Sequence, residues 1–370
     1  MAINILGNIK NLVRNSGEKI VQKIDKKLAP KMSICMLGAR GVGKTSVITS
    51  MYYSLKQAVE GTNLFLIAEG ATDDILREKK QCLQQIFDGF HEEDEFMKEG
   101  GIAGDSKETV FSFNYGMNSA NVNIGLEIRD YPGEYLISNP QTVAEYVREA
   151  DAVLVAIDTP CLMEEGGCFN NGKNRPEVVS RFLMEHLPKG EEKLIIFVPL
   201  KCERYANEGR LGEVRERIKE VYAELLDYLR DKENVNGMKL KICCVIAPIK
   251  TLGGVEFDSF EYSFDGSLST QTLSDGSLIP AGVNYRYISA DAAYTPHNCA
   301  QPLYYLLAFF SKQYDIMQKE QESSSMINRL RKFFDLIPHF DEFTLEAAKL
   351  SHKRKLNAQD DEVLFGKGRI

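Results

Sequence analysis

Gly38-Ala39-Arg40-Gly41-Val42-Gly43-Lys44-Thr45 decides how this chain is read. The eight residues satisfy G-x-x-x-x-G-K-[ST] in full, and their flanks agree with it. Ser33-Ile34-Cys35-Met36-Leu37, just before them, is a short apolar run of the kind a buried parallel strand needs. Thr45 to Lys56, just after, has helical composition and no proline. Strand, glycine loop, helix is the setting in which this pattern wraps a polyphosphate. Glycines let the backbone bend so that successive N–H groups point inward. The helix N-terminus adds a dipole that favours an anion. In such a loop Lys44 reaches the β- and γ-phosphates and the Thr45 hydroxyl ligates Mg²⁺. Gly38, Arg40, Gly41, Val42, Gly43 and Ser46 line the rest of the cradle.

From Lys31 onward, short apolar runs alternate with helical stretches. Val122 to Ile128 predicts a strand ending at Asp130, and Ala152 to Ile157 a buried strand ending at Asp158, after a helix over about 141–149. Leu194 to Val198 predicts a strand ending near Lys201, and Leu240 to Ile246 one ending at Ala247-Pro248. This alternation implies an α/β domain, a mostly parallel sheet with helices on both faces. Ligands in such sheets bind at the C-terminal strand ends. Two stretches read as additions. Residues 160–190 carry Gly166-Gly167 and Asn170-Asn171-Gly172, which favour loops. Residues 252–287, rich in Gly, Ser, Asp and aromatics, predict one or two β-hairpins. Pro302 to Phe310 opens a hydrophobic helix that completes the core.

The composition narrows the class. At 370 residues the chain exceeds a minimal nucleotide-binding domain, and 44% hydrophobic content supplies a large core. A net charge of −8 argues against a nucleic-acid binder. The eight cysteines form no C-x-x-C pair and no zinc pattern. Cys35, Cys243 and Cys244 lie inside apolar runs, as reduced buried thiols do, which places the protein in a reducing cytoplasm. No apolar run reaches the length of a membrane span, and the N-terminus lacks a signal-peptide core.

Residues 1–31 differ from the rest. Ile5, Ile9, Leu12 and Val13, then Ile20, Ile24 and Leu28, recur at helical spacing, and seven basic side chains face two acidic ones, a net +5. This basic amphipathic segment suits a helix packed on the protein's own body; it also suits an anionic membrane surface, here the inner face of a membrane, or a partner. Residues 319–370 form a helical tail with a second amphipathic stripe, Met326, Ile327, Leu330, Phe333, Phe334 and Ile337.

Asp130-Tyr131-Pro132-Gly133 is D-x-x-G at a strand end. An aspartate here holds a Mg²⁺-bound water, and a glycine N–H meets a γ-phosphate. Together with the loop and a later Lys-x-acid, this resembles the small, Ras-like branch of the translation-factor-class P-loop GTPases, over about residues 32–315. Insert sizes, the Asp-Tyr-Pro-Gly-Glu string and Thr251-Leu252-Gly253-Gly254 suggest a bacterial relative.

That resemblance implies a G domain over 32–318 that binds GTP and GDP with Mg²⁺, hydrolyses GTP, and changes shape at its switch regions to control a partner. Where the family often places a water-orienting glutamine, this chain has Glu134, either a poor water acceptor or a solvated loop acid, so hydrolysis is expected to be slow and partner-stimulated. Arg40 stands where a small residue is frequent; it lends positive charge in cis, points to solvent or obstructs an incoming arginine finger. The base-reading motif [NT]-K-x-D is represented by Leu200-Lys201-Cys202-Glu203: Lys201 stacks on the purine and Glu203 accepts from guanine. Ala247-Pro248 and Ser289-Ala290 compete for the loop that touches the base, and strand order favours the first. Ser106 and Thr109 compete as the hydroxyl that caps Mg²⁺, with 57–105 an enlarged switch-one region. An ATPase or kinase on the same loop, and a binding module without hydrolysis, are the alternatives.

Overall fold

The computed structural model describes residues 31–89, 108–117, 122–188, 192–230, 241–320, 346, 349, 360–367 and 370. In chain order the elements are β1 (Lys31–Leu37), α1 (Lys44–Val59), β2 (Leu64–Ala68), α2 (Ala71–Gly89), β3 (Thr109–Met117), β4 (Val122–Asp130), α3 (Tyr135–Ser138), α4 (Pro140–Glu149), β5 (Ala152–Asp158), α5 (Thr159–Met163), α6 (Asn170–Lys173), α7 (Pro176–His186), β6 (Glu192–Leu200), α8 (Glu203–Asn207), α9 (Leu211–Val221), α10 (Ala223–Arg230), β7 (Lys241–Ile246), β8 (Val255–Phe260), β9 (Thr270–Thr272), β10 (Leu278–Pro280), β11 (Val283–Tyr287), α11 (Gln301–Glu320) and β12 (Glu362–Phe365).

Eight strands form one sheet in the order β12-β7-β6-β5-β1-β4-β3-β2. The run from β7 to β4 is parallel; β3, β2 and β12 join antiparallel. This is the mostly parallel α/β class that the alternating sequence predicts. Its middle is legible in composition: every residue of β5 and β6 is buried, as near-continuous apolar strands covered on both faces must be.

Alternation decides which side chain enters which core layer. Met32, Ile34 and Met36 of β1, Leu154 of β5 and Ile196 of β6 face one layer, covered by α1 and α11. Cys35 and Leu37, Val153 and Val155, Ile195 and Phe197 face the other, covered by α4, α7, α9 and α10. Phe197 is fully buried with its ring 4.9 Å from that of Tyr222. Phe197→Ala is expected to cost about 3–5 kcal/mol, read as a lowered urea midpoint with unchanged slope.

Several sequence expectations change. Residues 57–105 are not simply a long switch region: Leu64–Ala68 forms edge strand β2, and Ala71–Gly89 a 19-residue amphipathic helix. The 160–190 insert holds α5, α6 and α7 where glycines and asparagines suggest loops. The tail is not wholly helical, because β12 returns to pair with β7. The hairpin expectation for 252–287 holds: β9–β10 is nested inside the β8–β11 pair. Residues 1–30, Ser106 and the apolar stripe of the tail lie outside the described residues. No helix among the described residues is long and apolar enough to cross a membrane.

Candidate functional site

The sheet order places the ends of β1, β4, β5, β6 and β7 along one rim, and the predicted residues gather there. The loop between β1 and α1 is made possible by positive φ at Gly38 (150°), Gly41 (72°) and Gly43 (110°). Gly43 is the residue before the first turn of α1; no acidic side chain sits in that turn, so its amides face the loop uncompensated. Val42 and Ser46 are buried supports of this turn.

Lys44 folds back over its own loop. Its Nζ donates to the carbonyls of Gly38 (2.9 Å) and Ala39 (3.3 Å), with donor capacity left for a further acceptor. Only 7% of Lys44 is exposed. Burial pulls its pKa below that of an ordinary lysine, and the charges of Asp130 and Glu134 pull it back. Tyr131 lies beneath, its ring centroid 5.8 Å from the ammonium.

Thr45 and Asp130 meet. The Thr45 hydroxyl donates to Asp130 Oδ2 at 2.6 Å, joining two motifs 85 residues apart. Thr109 stands directly opposite Asp130 in the β3–β4 ladder. Two hydroxyls and a carboxylate at one strand end are hard oxygen donors, and a Mg²⁺ held by few protein ligands together with phosphate oxygens fits that set. Thr109 is thus the described candidate for the capping hydroxyl.

Gly133 rests on the phosphate loop. A Cβ built on it would overlap the Arg40 amide nitrogen and the Ala39 carbonyl carbon. Beside it, Arg40 Nη1 donates to Glu134 Oε1 at 3.1 Å, with both side chains at least half exposed. Each of these two sequence candidates therefore answers the other, in a solvent-screened pair.

The base-side residues are more internal than the sequence suggests. Lys201, in a left-handed turn (φ 59°), pairs through Nζ with Asp158 Oδ2 at 2.5 Å. Burial raises the pKa of Asp158; the Lys201 and Lys173 ammoniums, the hydrogen bond from Lys201 and the Cys161 amide together outweigh it and hold the carboxyl below the usual range. Glu203 is 3% exposed, and its Oε1 accepts from the amides of Leu252 (2.8 Å) and Gly253 (3.1 Å). Burial raises its pKa while those amides oppose the rise. Leu200 packs a methyl group over Gly43. Ala247 and Pro248 are buried, and Ala247 N extends the ladder by donating to Phe197 O at 2.9 Å; Ser289 and Ala290 are exposed. Asp158, Tyr131 and Lys173 are site neighbours that motif matching misses. The strand-end position of Asp158 was a readable signal; Lys173, in an Asn-Asn-Gly-Lys run, offered none.

No family model matches the chain, and no curated protein matches it. Solved structures similar to it include the Saccharomyces cerevisiae Ski7 GTPase-like domain bound to GDP and inorganic phosphate, at 13% identity over 62% of this chain and 45% of that one, TM-score 0.35. A GTP-binding protein from Sulfolobus solfataricus in complex with GDP matches at 15% identity over 67% and 55%, TM-score 0.28. Toc33 from Arabidopsis thaliana matches at 10% identity over 70% and 83%, TM-score 0.29. This chain spans less than half the length of the Ski7 chains. At TM-scores below 0.5 the likeness carries no weight for function, so the chain's own residues must carry it.

Proposed function

We propose that this protein is a GTP-binding and GTP-hydrolysing switch, with Mg²⁺ beside the phosphates. The observation that supports it most is the 2.6 Å bond from Thr45 to Asp130, because it assembles the phosphate loop and D-x-x-G into one oxygen-lined site. Lys44 and the loop amides hold the β- and γ-phosphates. Thr45, Asp130 and Thr109 hold Mg²⁺, which when bound neutralises charge on the phosphate oxygens. Water attacks the γ-phosphorus, the bond to the β–γ bridging oxygen breaks, and GDP and inorganic phosphate leave. Gly133, lying against residues 39–40, is the element that a γ-phosphate would engage, which links nucleotide state to the position of the 131–139 segment. Glu134 is a carboxylate paired with Arg40, so no neutral side chain orients the water there, and intrinsic turnover is expected to be slow.

A second reading, nucleotide binding with weak preference for guanine, draws on Glu203: one of its oxygens already serves two backbone amides. Competition of a fluorescent GTP analogue by GTP and by ATP, with Mg²⁺ present, separates the two. The switch reading expects GTP to compete at least about tenfold better, one well-made polar contact being worth about 1–3 kcal/mol. It also expects Glu203→Ala to erase that preference. Equal competition by ATP sinks the guanine assignment, and no competition by either sinks the site.

A further inference from the structure

Lys173 ends α6, in the insert between β5 and β6, far in sequence from the phosphate loop. Its Nζ nevertheless stands 2.9 Å from where a Cβ on Gly41 would be. The ammonium has no hydrogen-bond or ion-pair partner among the described residues. Its surroundings do not favour a charge: burial lowers its pKa first, the neighbouring Lys201 adds to that, and Asp158, already paired with Lys201, only partly opposes. A half-buried lysine held against a loop built for phosphate, with no anion of the protein bonded to it, is a site that an anion completes.

The placement is built. Asn174 exchanges two bonds with the backbone of Asp158, accepting from its N at 2.7 Å and donating to its O at 3.0 Å, which fixes the end of α6 to the end of β5. Phe169, just before α6, packs edge-on against Phe260 of β8 at 4.8 Å. Gly172 lies so close to the Leu278 carbonyl of β10 that a Cβ would overlap it. Arg175 reaches Asp275 at 3.3 Å. Both inserts thus brace four residues whose last side chain is aimed at Gly41. The two stretches that look like decoration on the core share one task.

We propose that Lys173 is a second phosphate-contacting cation, delivered in cis by the insert, which grips the polyphosphate of the bound nucleotide over Gly41 alongside Lys44. The inference rests on the nucleotide reading above. It gives the chain built-in positive charge at the phosphates, a charge that Arg40, turned to Glu134, does not supply.

The test is binding of GTPγS and GDP to the full chain and to Lys173→Met and Lys173→Arg, with thermal midpoints taken without nucleotide. Lys173→Met is expected to weaken GTPγS binding about ten- to hundredfold, the loss of one charged hydrogen bond. It should not lower the nucleotide-free midpoint, because it removes a desolvated, unpaired charge. Lys173→Arg should bind within about threefold of the parent. Parental affinity in Lys173→Met overturns the proposal alone. So does a lowered nucleotide-free midpoint in that variant, which marks a structural role. A parent chain that binds neither nucleotide overturns this inference and the functional reading together.

Discussion

Lys44→Ala is expected to weaken nucleotide binding about ten- to hundredfold while leaving the fold in place. The side chain contributes an ammonium at the centre of the loop, fixed there by two of its own carbonyls at 2.9 and 3.3 Å. With two of its three N–H donors held by those carbonyls, it has one left for a charge-assisted bond to a polyphosphate, worth about 1.5–3 kcal/mol. That amounts to a factor of about 10–10² in affinity. The cost to folding is smaller, because two opposing effects partly cancel: the variant frees two carbonyls from their donor, but it also relieves the desolvation that pulls the pKa of Lys44 down. Lys44→Arg should not rescue, since a planar guanidinium cannot curl into the same two-carbonyl grip. Fluorescence anisotropy with a labelled GTP analogue measures the loss, and a thermal scan shows whether the fold survives. Parental affinity in Lys44→Ala would end the phosphate-loop assignment.

How much of this was readable beforehand depends on the range of the interaction that fixes each part. The phosphate loop and β1 were legible because a contiguous pattern sets them. β5 and β6 were legible because burial on both faces leaves an uninterrupted apolar run. β12 was not. Its four residues, Glu362 to Phe365, carry no period long enough to detect, and their partner strand β7 ends at Ile246. α2 was hidden for another reason: it lies where the resemblance implies an enlarged switch-one region, although Ala71–Gly89 has the amphipathic spacing of a helix. α6 is helical against its own composition, Asn-Asn-Gly-Lys, because Asn174 and Gly172 are held by β5 and β10. In the site, the meeting of the Lys44-Thr45 loop with Asp130 was readable from motif alone. That Arg40 and Glu134 would pair was not, since 94 residues separate them. Nor was the inward turn of Glu203, whose partners are the backbone amides of a loop that only the fold brings near.

Gly133→Ala is expected to uncouple the D-x-x-G segment from the phosphate loop. In the present arrangement Gly133 lies against the backbone of Ala39 and Arg40, and the added methyl would overlap atoms that belong to the cradle itself. Backbone cannot give way as the end of a flexible side chain can. The segment must therefore lift, and it carries Tyr131 and Leu136, both buried in the layer beneath α4 and α7. Overpacking of this kind costs about 1–3 kcal/mol, which is modest beside the functional effect. If the Gly133 amide is what senses a γ-phosphate, its displacement removes the contact that distinguishes GTP from GDP, while Lys44 and the loop amides still hold the phosphates common to both. The variant should then bind GDP as the parent does, lose most of its preference for GTPγS, and hydrolyse GTP at least about tenfold more slowly. Limited proteolysis across residues 131–139 should show equal cutting with either nucleotide, where the parent shows protection with GTPγS. A variant that keeps the parent's GTPγS/GDP ratio and its nucleotide-dependent protection would mean that this glycine is a packing device only, and that whatever senses the γ-phosphate lies elsewhere.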